Sequence, residues 1–338
     1  MSQYVAPFLF LSLPTDTPPN PDSFHDSAYY KTSLQDFCLI ITFMLVMAVL
    51  RDAFRLGVFE PFARWKLTRD LSSERSKTNG HSNGHANGNA TKKELHHLRR
   101  SVLRFAEQGW PMVYYPLQWC FGLYINYCLP TQMFEPTSLW IGYPHTPIPA
   151  PVKIYYLVQT AFYTHQMLIL NAEAPRKDHW QMMAHHVITV FLMGASYFFN
   201  FTRVGCLIMV LMDWCDIFLP LAKMTRYINL PPIVSDSVFA IFIVSWFITR
   251  HVLFMIVIVS TYTDLPRLVP LEWAPHLGRF LSREYWVIFC ACLTASFQIV
   301  WFTLACRIAW RAISSGGGAE DERSDEEGEE ELEVKKKQ

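Results

Sequence analysis

Seven apolar stretches of roughly membrane-spanning length recur between residues 36 and 311. A chain built that way folds as helices, because only helices and closed barrels satisfy their own backbone in lipid. The stretches lie at 36–56, 108–127, 152–171, 180–199, 203–223, 233–262 and 285–311, against the ~20 residues a crossing helix needs. The first is the shortest: its clean run, FCLIITFMLVMAVL, has to borrow from RDAFRLGVF. The sixth, at about 30 residues, has to tilt or project beyond the bilayer. The composition agrees, with 51% hydrophobic and 17% charged residues, against about 25% charged in an average soluble domain. The expected fold class is an all-α, polytopic transmembrane helical bundle of about seven spans. The eight cysteines fall almost entirely inside apolar stretches. They read as packing residues, not as a disulfide framework or a zinc site.

Basic residues set the orientation. The loop between the first two spans carries about ten Lys and Arg, the next loop has none, and Arg176, Lys177, Lys223 and Arg226 follow on the same side as the first. Three arginines in the loop after span six dissent. The best fit places the N-terminus in the lumen and the C-terminus in the cytosol. The organisation read from this is a luminal segment 1–35, the first span 36–56, a cytosolic and partly disordered loop 57–100, a six-span core 101–312, and a disordered acidic tail 313–338. The loop stretch SKTNGHSNGHANGNATKK is the part read as disordered from its polar, Gly- and Asn-rich composition. Two glycosylation sequons, at Asn89 and Asn200, are expected to stay unused: one is cytosolic and the other sits in a tight turn. The chain ends in KKKQ after AEDERSDEEGEEELE, a pattern like a dilysine retrieval signal. Ser324 lies in an acidic context that suits an acid-directed kinase.

Ionisable side chains inside spans are costly and face a bundle interior or a water-filled cavity. The fourth span carries His185 and His186, the fifth Asp213 and Asp216, and the sixth Arg250 and His251. At 1.5 Å per residue the histidines lie about 8–9 Å in from the cytosolic side, Asp216 about 10 Å and Asp213 about 15 Å. The short turn FNFTR makes spans four and five antiparallel neighbours, so the four groups sit at similar depth. The aspartates, at i and i+3, share a face. The adjacent histidines do not, so one of them points more directly at the carboxylates. Such a His/Asp site supplies a general base or an acyl-accepting imidazole. It is also a set of groups that could hold two helices together, or supply four ligands for one zinc. No His or Cys boxes of membrane di-iron enzymes accompany it, and no metal is expected. Arg250 and His251 pair with a bundle acid or touch a substrate headgroup; the sequence does not choose.

The stretch from KIYYLVQTAFYTHQ through DHWQMMAHHVIT to LMDWCDIFLPLAK resembles the core of the ceramide synthases, the longevity-assurance branch of the TLC-domain family. RFAEQGWPMVYYPLQWCFGLYINY and FAIFIVSWFITRHVLF are similar to its flanking segments, and the likeness covers roughly residues 95–310. The His-His pair, the MD-x-x-D pattern and the K-x-YY-x-x-Q run occur in order. No homeobox-like insert is present in the first cytosolic loop, and the polar loop and acidic tail lean towards fungal members. The resemblance implies an acyl-CoA-dependent sphingoid base N-acyltransferase of the endoplasmic reticulum membrane. Its partners would be fatty acyl-CoA, a sphingoid base and membrane lipid, with a homo- or heterodimer and a small accessory subunit, and no nucleic acid. It implies no cofactor, since the thioester activates the acyl group. His185, His186, Asp213 and Asp216 would be catalytic. Arg176, Lys177, Asp178, Lys223, Arg226, Arg250 and His251 are candidate substrate contacts. The rival readings are a non-enzymatic lipid-binding or translocon-associated protein of the same wider family, and a transporter. Neither paired Gly/Pro breaks nor an internal repeat supports the last.

Overall fold

A computed structural model of the chain describes residues 4–19, 24, 26–79, 91–132, 134–172 and 179–295, with 302–303, 306–307 and 310 in the last segment. Its longer described helices are α1 (Asp36–Phe54), α2 (Glu60–Asn79), α3 (Lys92–Cys128), α4 (Ala150–Ala172), α5 (His179–Phe198), α6 (Thr202–Tyr227), α7 (Pro232–Trp246), α8 (Phe254–Thr263) and α9 (Arg283–Ala295). The first six expected spans are occupied by helix and the seventh begins as one, and among the described residues strand is limited to two-residue ladders in the connections. The fold is all-α. Among the described residues three continuous helices are long and apolar enough to cross a membrane: Asp36–Ser73, Thr202–Tyr227 and Pro232–Thr263. Helices α3, α4 and α5 are long but carry polar groups that their neighbours cover, Gln118, Lys153, Gln159, His165 and His186 among them. That is how a multi-helix bundle hides polar residues from lipid. In α1 only 11% of the most apolar window is buried, so its outer face, with Leu45 and Val49, is left for lipid.

The segment 57–100 corrects the sequence reading. It is not mainly loop: a π-helical turn, Arg55–Phe59, carries α1 directly into α2, and α3 begins at Lys92, well before residue 108. Charge concealed the helices. Arg64 and Lys66 pair with Glu60 and Asp70 at i,i+4 spacing, which supports an exposed helix face. Ala63 and Leu67 on the other face pack on Val102, Phe105 and Met224. Thr91 and Glu94 form a capping box that starts α3. The Thr91 N–H and hydroxyl hold the Glu94 carboxyl below the usual carboxylate range. Residues 80–90, with Asn89, lie outside the described residues.

The opposite end of the bundle is closed by the connections. Residues 14–15, 29–30 and 148–149 form a three-stranded ladder. The Asp36 carboxylate, 3% exposed at the start of α1, meets the fully buried Lys153 of α4 at 2.9 Å. It also accepts from the Ser12 hydroxyl at 2.6 Å, the Tyr197 hydroxyl at 2.7 Å and the Ser33 N–H. Lys153 donates in addition to the carbonyls of Ser12 and Lys31. One buried ion pair thus ties the N-terminal segment to α1, α4 and α5. Asn200 sits at the α5–α6 turn with φ +64° and is 4% exposed. Its amide donates to the Gly278 carbonyl, so in the folded chain this nitrogen is engaged within the protein. All eight cysteines are free thiols.

Candidate functional site

Asp213 is fully buried on the side of α6 that meets α4. Its carboxylate accepts from Gln159 Nε2 at 2.5 Å and from the Tyr163 hydroxyl at 3.2 Å. Gln159 in turn accepts from the Tyr114 hydroxyl at 2.6 Å. Four side chains on α3, α4 and α6 therefore form one hydrogen-bonded row. Its inner members have no contact with solvent, where an unpaired group is expensive.

Asp216, one turn further along α6, meets a different neighbour. Arg250 Nη2 lies 2.7 Å from its Oδ2 and 2.8 Å from the Met212 carbonyl. The guanidinium also rests 4.3 Å from the Trp246 ring centroid. Arg250 reaches this position from a π-helical turn, Phe247–Leu253, between α7 and α8. Such turns shift the register of the residues that follow and recur at functional sites. His251, next along the turn, faces elsewhere: its ring packs against Phe247 and Phe302. The sequence left the role of Arg250 open; in the structure it partners a bundle acid.

The two histidines diverge, as adjacent helical residues must. His186 is 9% exposed, its ring 5.9 Å from that of Tyr163; its Nδ1 has no hydrogen-bond partner among the described residues. His185 lines a narrow cavity between α5 and α6, together with Tyr163, Met212 and Arg250. The cavity continues past Leu192, Met193 and Ile208 to Ser196, Gly205 and Phe289. One end is polar and the shaft is apolar. The free space is about 90 Å³, too small for a long chain without side-chain movement. Two walls are the methionines Met193 and Met209, whose unbranched side chains rearrange readily.

Of the expected site residues, the structure gathers His185, His186, Asp213, Asp216 and Arg250 around Tyr163 and Met212. The described partners of the carboxylates are Gln159, Tyr163, Arg250 and the Cys215 thiol, and Tyr163, whose ring also meets His186, is what joins the Asp213 row to the histidines. Lys223 and Arg226 stand at the far end of α6, Arg226 in its last turn, beside Met224 and the α2–α3 hairpin. Arg176, Lys177, Asp178 and Ser324 lie outside the described residues. Among the described residues no three His, Cys, Asp or Glu side chains converge as metal ligands.

Sequence reasoning missed Tyr114, Gln159 and Tyr163, and with them the Asp36–Lys153 pair. The signal was present in the K-x-YY-x-x-Q run. Its Lys153 holds Asp36, its Gln159 holds Asp213, and Tyr156 hydrogen-bonds Ser196 and the Thr202 carbonyl.

Residues 104–307 match the TLC domain. Over 97% of the chain the sequence is 30% identical to Ceramide Synthase FUM18 of Gibberella moniliformis, covering 74% of that protein. It is 32% identical to Sphingosine N-acyltransferase lag1 of Schizosaccharomyces pombe, again over 97% of the chain and 74% of the relative. Ceramide synthase LAG1 of Saccharomyces cerevisiae is 33% identical over 68% of the chain and 56% of its own length.

Proposed function

The chain belongs to the TLC-domain family, and from that membership and its interior geometry we propose that it is a ceramide synthase, a multi-pass membrane enzyme that transfers a fatty acyl group from acyl-CoA to the amine of a sphingoid base. The observation that carries the reading is the cavity with His185 at its polar end and an apolar shaft beyond it. That shape suits a linear chain with one reactive end, and it suits a thioester carbonyl brought to an imidazole.

In the reaction the sphingoid nitrogen forms a bond to the thioester carbonyl carbon. The carbon–sulfur bond breaks, the amine loses a proton, and the CoA thiolate gains one. An imidazole can move that proton as general base and then acid. It can also accept the acyl group first, releasing CoA, before the amine attacks the acyl-imidazole. A single narrow shaft favours the second route, because donor and acceptor then use it in turn. His185 is the acyl-accepting or proton-moving group in this proposal. Tyr163 and Asp213 position the wall beside it, and Arg250, locked by Asp216, presents a fixed cation at the carbonyl end. The energy of the thioester drives amide formation, so no cofactor takes part.

The endoplasmic reticulum membrane is the proposed location, with a luminal N-terminus and a cytosolic C-terminus. CoA is large, anionic and soluble, so it approaches from the cytosolic side, and the basic residues Arg176, Lys177, Lys223 and Arg226 are the candidate contacts for its phosphates, with Asp178 next to them in sequence. A dimer or an accessory subunit, acting through the lipid-facing helices, also belongs to the proposal.

Purified protein given acyl-CoAs and a sphingoid base tests the proposal. One free CoA thiol should appear for each ceramide formed. Protein that binds both lipids and forms no ceramide with any chain length would return the cavity to a lipid-binding role.

A further inference from the structure

The cavity ends, at the turn between α5 and α6, on groups of unequal hardness. On α5 its wall runs from His185 to Ser196, eleven residues, or about 16 Å at the helical rise. At the deep end, one side is main chain and hydroxyl. A Cβ on Gly205 would fall 1.7 Å from the Tyr156 hydroxyl, so the helix and that ring are already in contact. The Tyr156 hydroxyl is itself held by Ser196 Oγ at 3.0 Å and the Thr202 carbonyl at 3.2 Å, and Ser196 donates to the Met193 carbonyl. Each hydroxyl proton goes to a main-chain carbonyl. These groups form a stop that neither yields nor seeks a ligand hydroxyl.

The other side of the floor is Phe289 of α9, whose ring lies nearly parallel to Phe201, at 5.9 Å and 18°. It is large, apolar and free of hydrogen bonds. Its ring is held by packing alone. We infer that Phe289 sets the longest acyl chain the protein transfers. The inference rests on the proposed acyltransferase reading, with the carbonyl at His185 and the methyl end against this ring. Methyl-end discrimination in an apolar pocket is worth about 10–200-fold per methylene, so one side chain at the floor is enough to define a preference.

The test uses the full-length protein in detergent or nanodiscs, one sphingoid base and an even-carbon series of saturated acyl-CoAs in competition, with products resolved by mass. Phe289→Ala and Phe289→Leu deepen the floor, and Phe289→Trp raises it. The expected result is a rise of ~10-fold or more in the relative kcat/KM for chains longer than the wild-type optimum in the shortened variants, and the opposite shift in Phe289→Trp. Variants that keep total activity with an unchanged product profile overturn the inference and leave the acyltransferase reading standing. A wild-type protein that makes no ceramide from any chain overturns that reading, and this inference with it. Should Phe289→Ala fail to fold, the Leu and Trp variants still move in opposite directions or refute the assignment.

Discussion

Arg250 and Asp216 meet at 2.7 Å inside the bundle, the cation delivered by a π-helical turn and the anion by α6. Removing one partner of such a pair leaves an uncompensated charge and costs about 3–5 kcal/mol, whereas replacing both by apolar groups is often neutral. Arg250→Met and Asp216→Leu should each lower stability by that order, and the double variant should recover most of it. Denaturant unfolding in micelles measures the three. Recovered folding without recovered acyl transfer would separate the pair's role at the site from its role in the bundle. Single variants as stable as the wild type would contradict the account.

Gln159 and Tyr163 are the described hydrogen-bond donors to Asp213. Gln159→Leu keeps the volume and deletes a donor to a fully buried carboxylate. The expected loss is about 1–3 kcal/mol. Tyr114→Phe acts on the same row through Gln159, so the double variant should lose less than the sum of the singles. Strict additivity would mean that the row is not coupled.

Lys153→Met strands Asp36, whose ion-pair partner in the structure is Lys153. The N-terminal segment should loosen, and limited proteolysis should cut within residues 4–35 that resist in the wild type. Asp36→Asn in the same chain should restore part of the protection, because it removes the stranded charge. Unchanged cleavage in Lys153→Met would show that the ladder alone holds the segment.

Gly205→Ala drives a methyl group into the Tyr156 hydroxyl. Overpacking of this kind costs about 1–3 kcal/mol. Tyr156→Phe removes the nearest atom and should return part of the loss, measured by the same micelle unfolding. A second substitution that makes matters worse would argue that the Ser196–Tyr156–Thr202 bonds outweigh the contact.

The positions of the spans were legible because lipid demands long apolar helices and little else. The helices α2 and the start of α3 were not, since EPFARWKLTRDLSSER buries only a thin stripe on its hairpin partner. Within the site, charge was legible and hydrogen bonding was not. His185, Asp213, Asp216 and Arg250 stand out in an apolar run as costly residues. Gln159 and Tyr163 do not, because a glutamine or tyrosine in a span looks like ordinary packing until its partner is placed opposite. The pairing of Arg250 depended on a π-helical turn, and regular periodicity would have aimed that side chain elsewhere. The lysine of K-x-YY-x-x-Q was not singled out among the costly groups, and its acid lies 117 positions away at Asp36, beyond any local pattern.

The central claim is that His185 carries the acyl transfer at the polar end of the cavity. The direct measurement is ceramide formation by the wild type and by His185→Ala, each shown to be folded by its unfolding transition and given the same acyl-CoA and sphingoid base. The account predicts a loss of about 10²–10⁴-fold or more in turnover with acyl-CoA still bound, and an acyl group released by hydroxylamine from the wild type alone. Turnover within a few-fold of the wild type in a folded His185→Ala protein would contradict it.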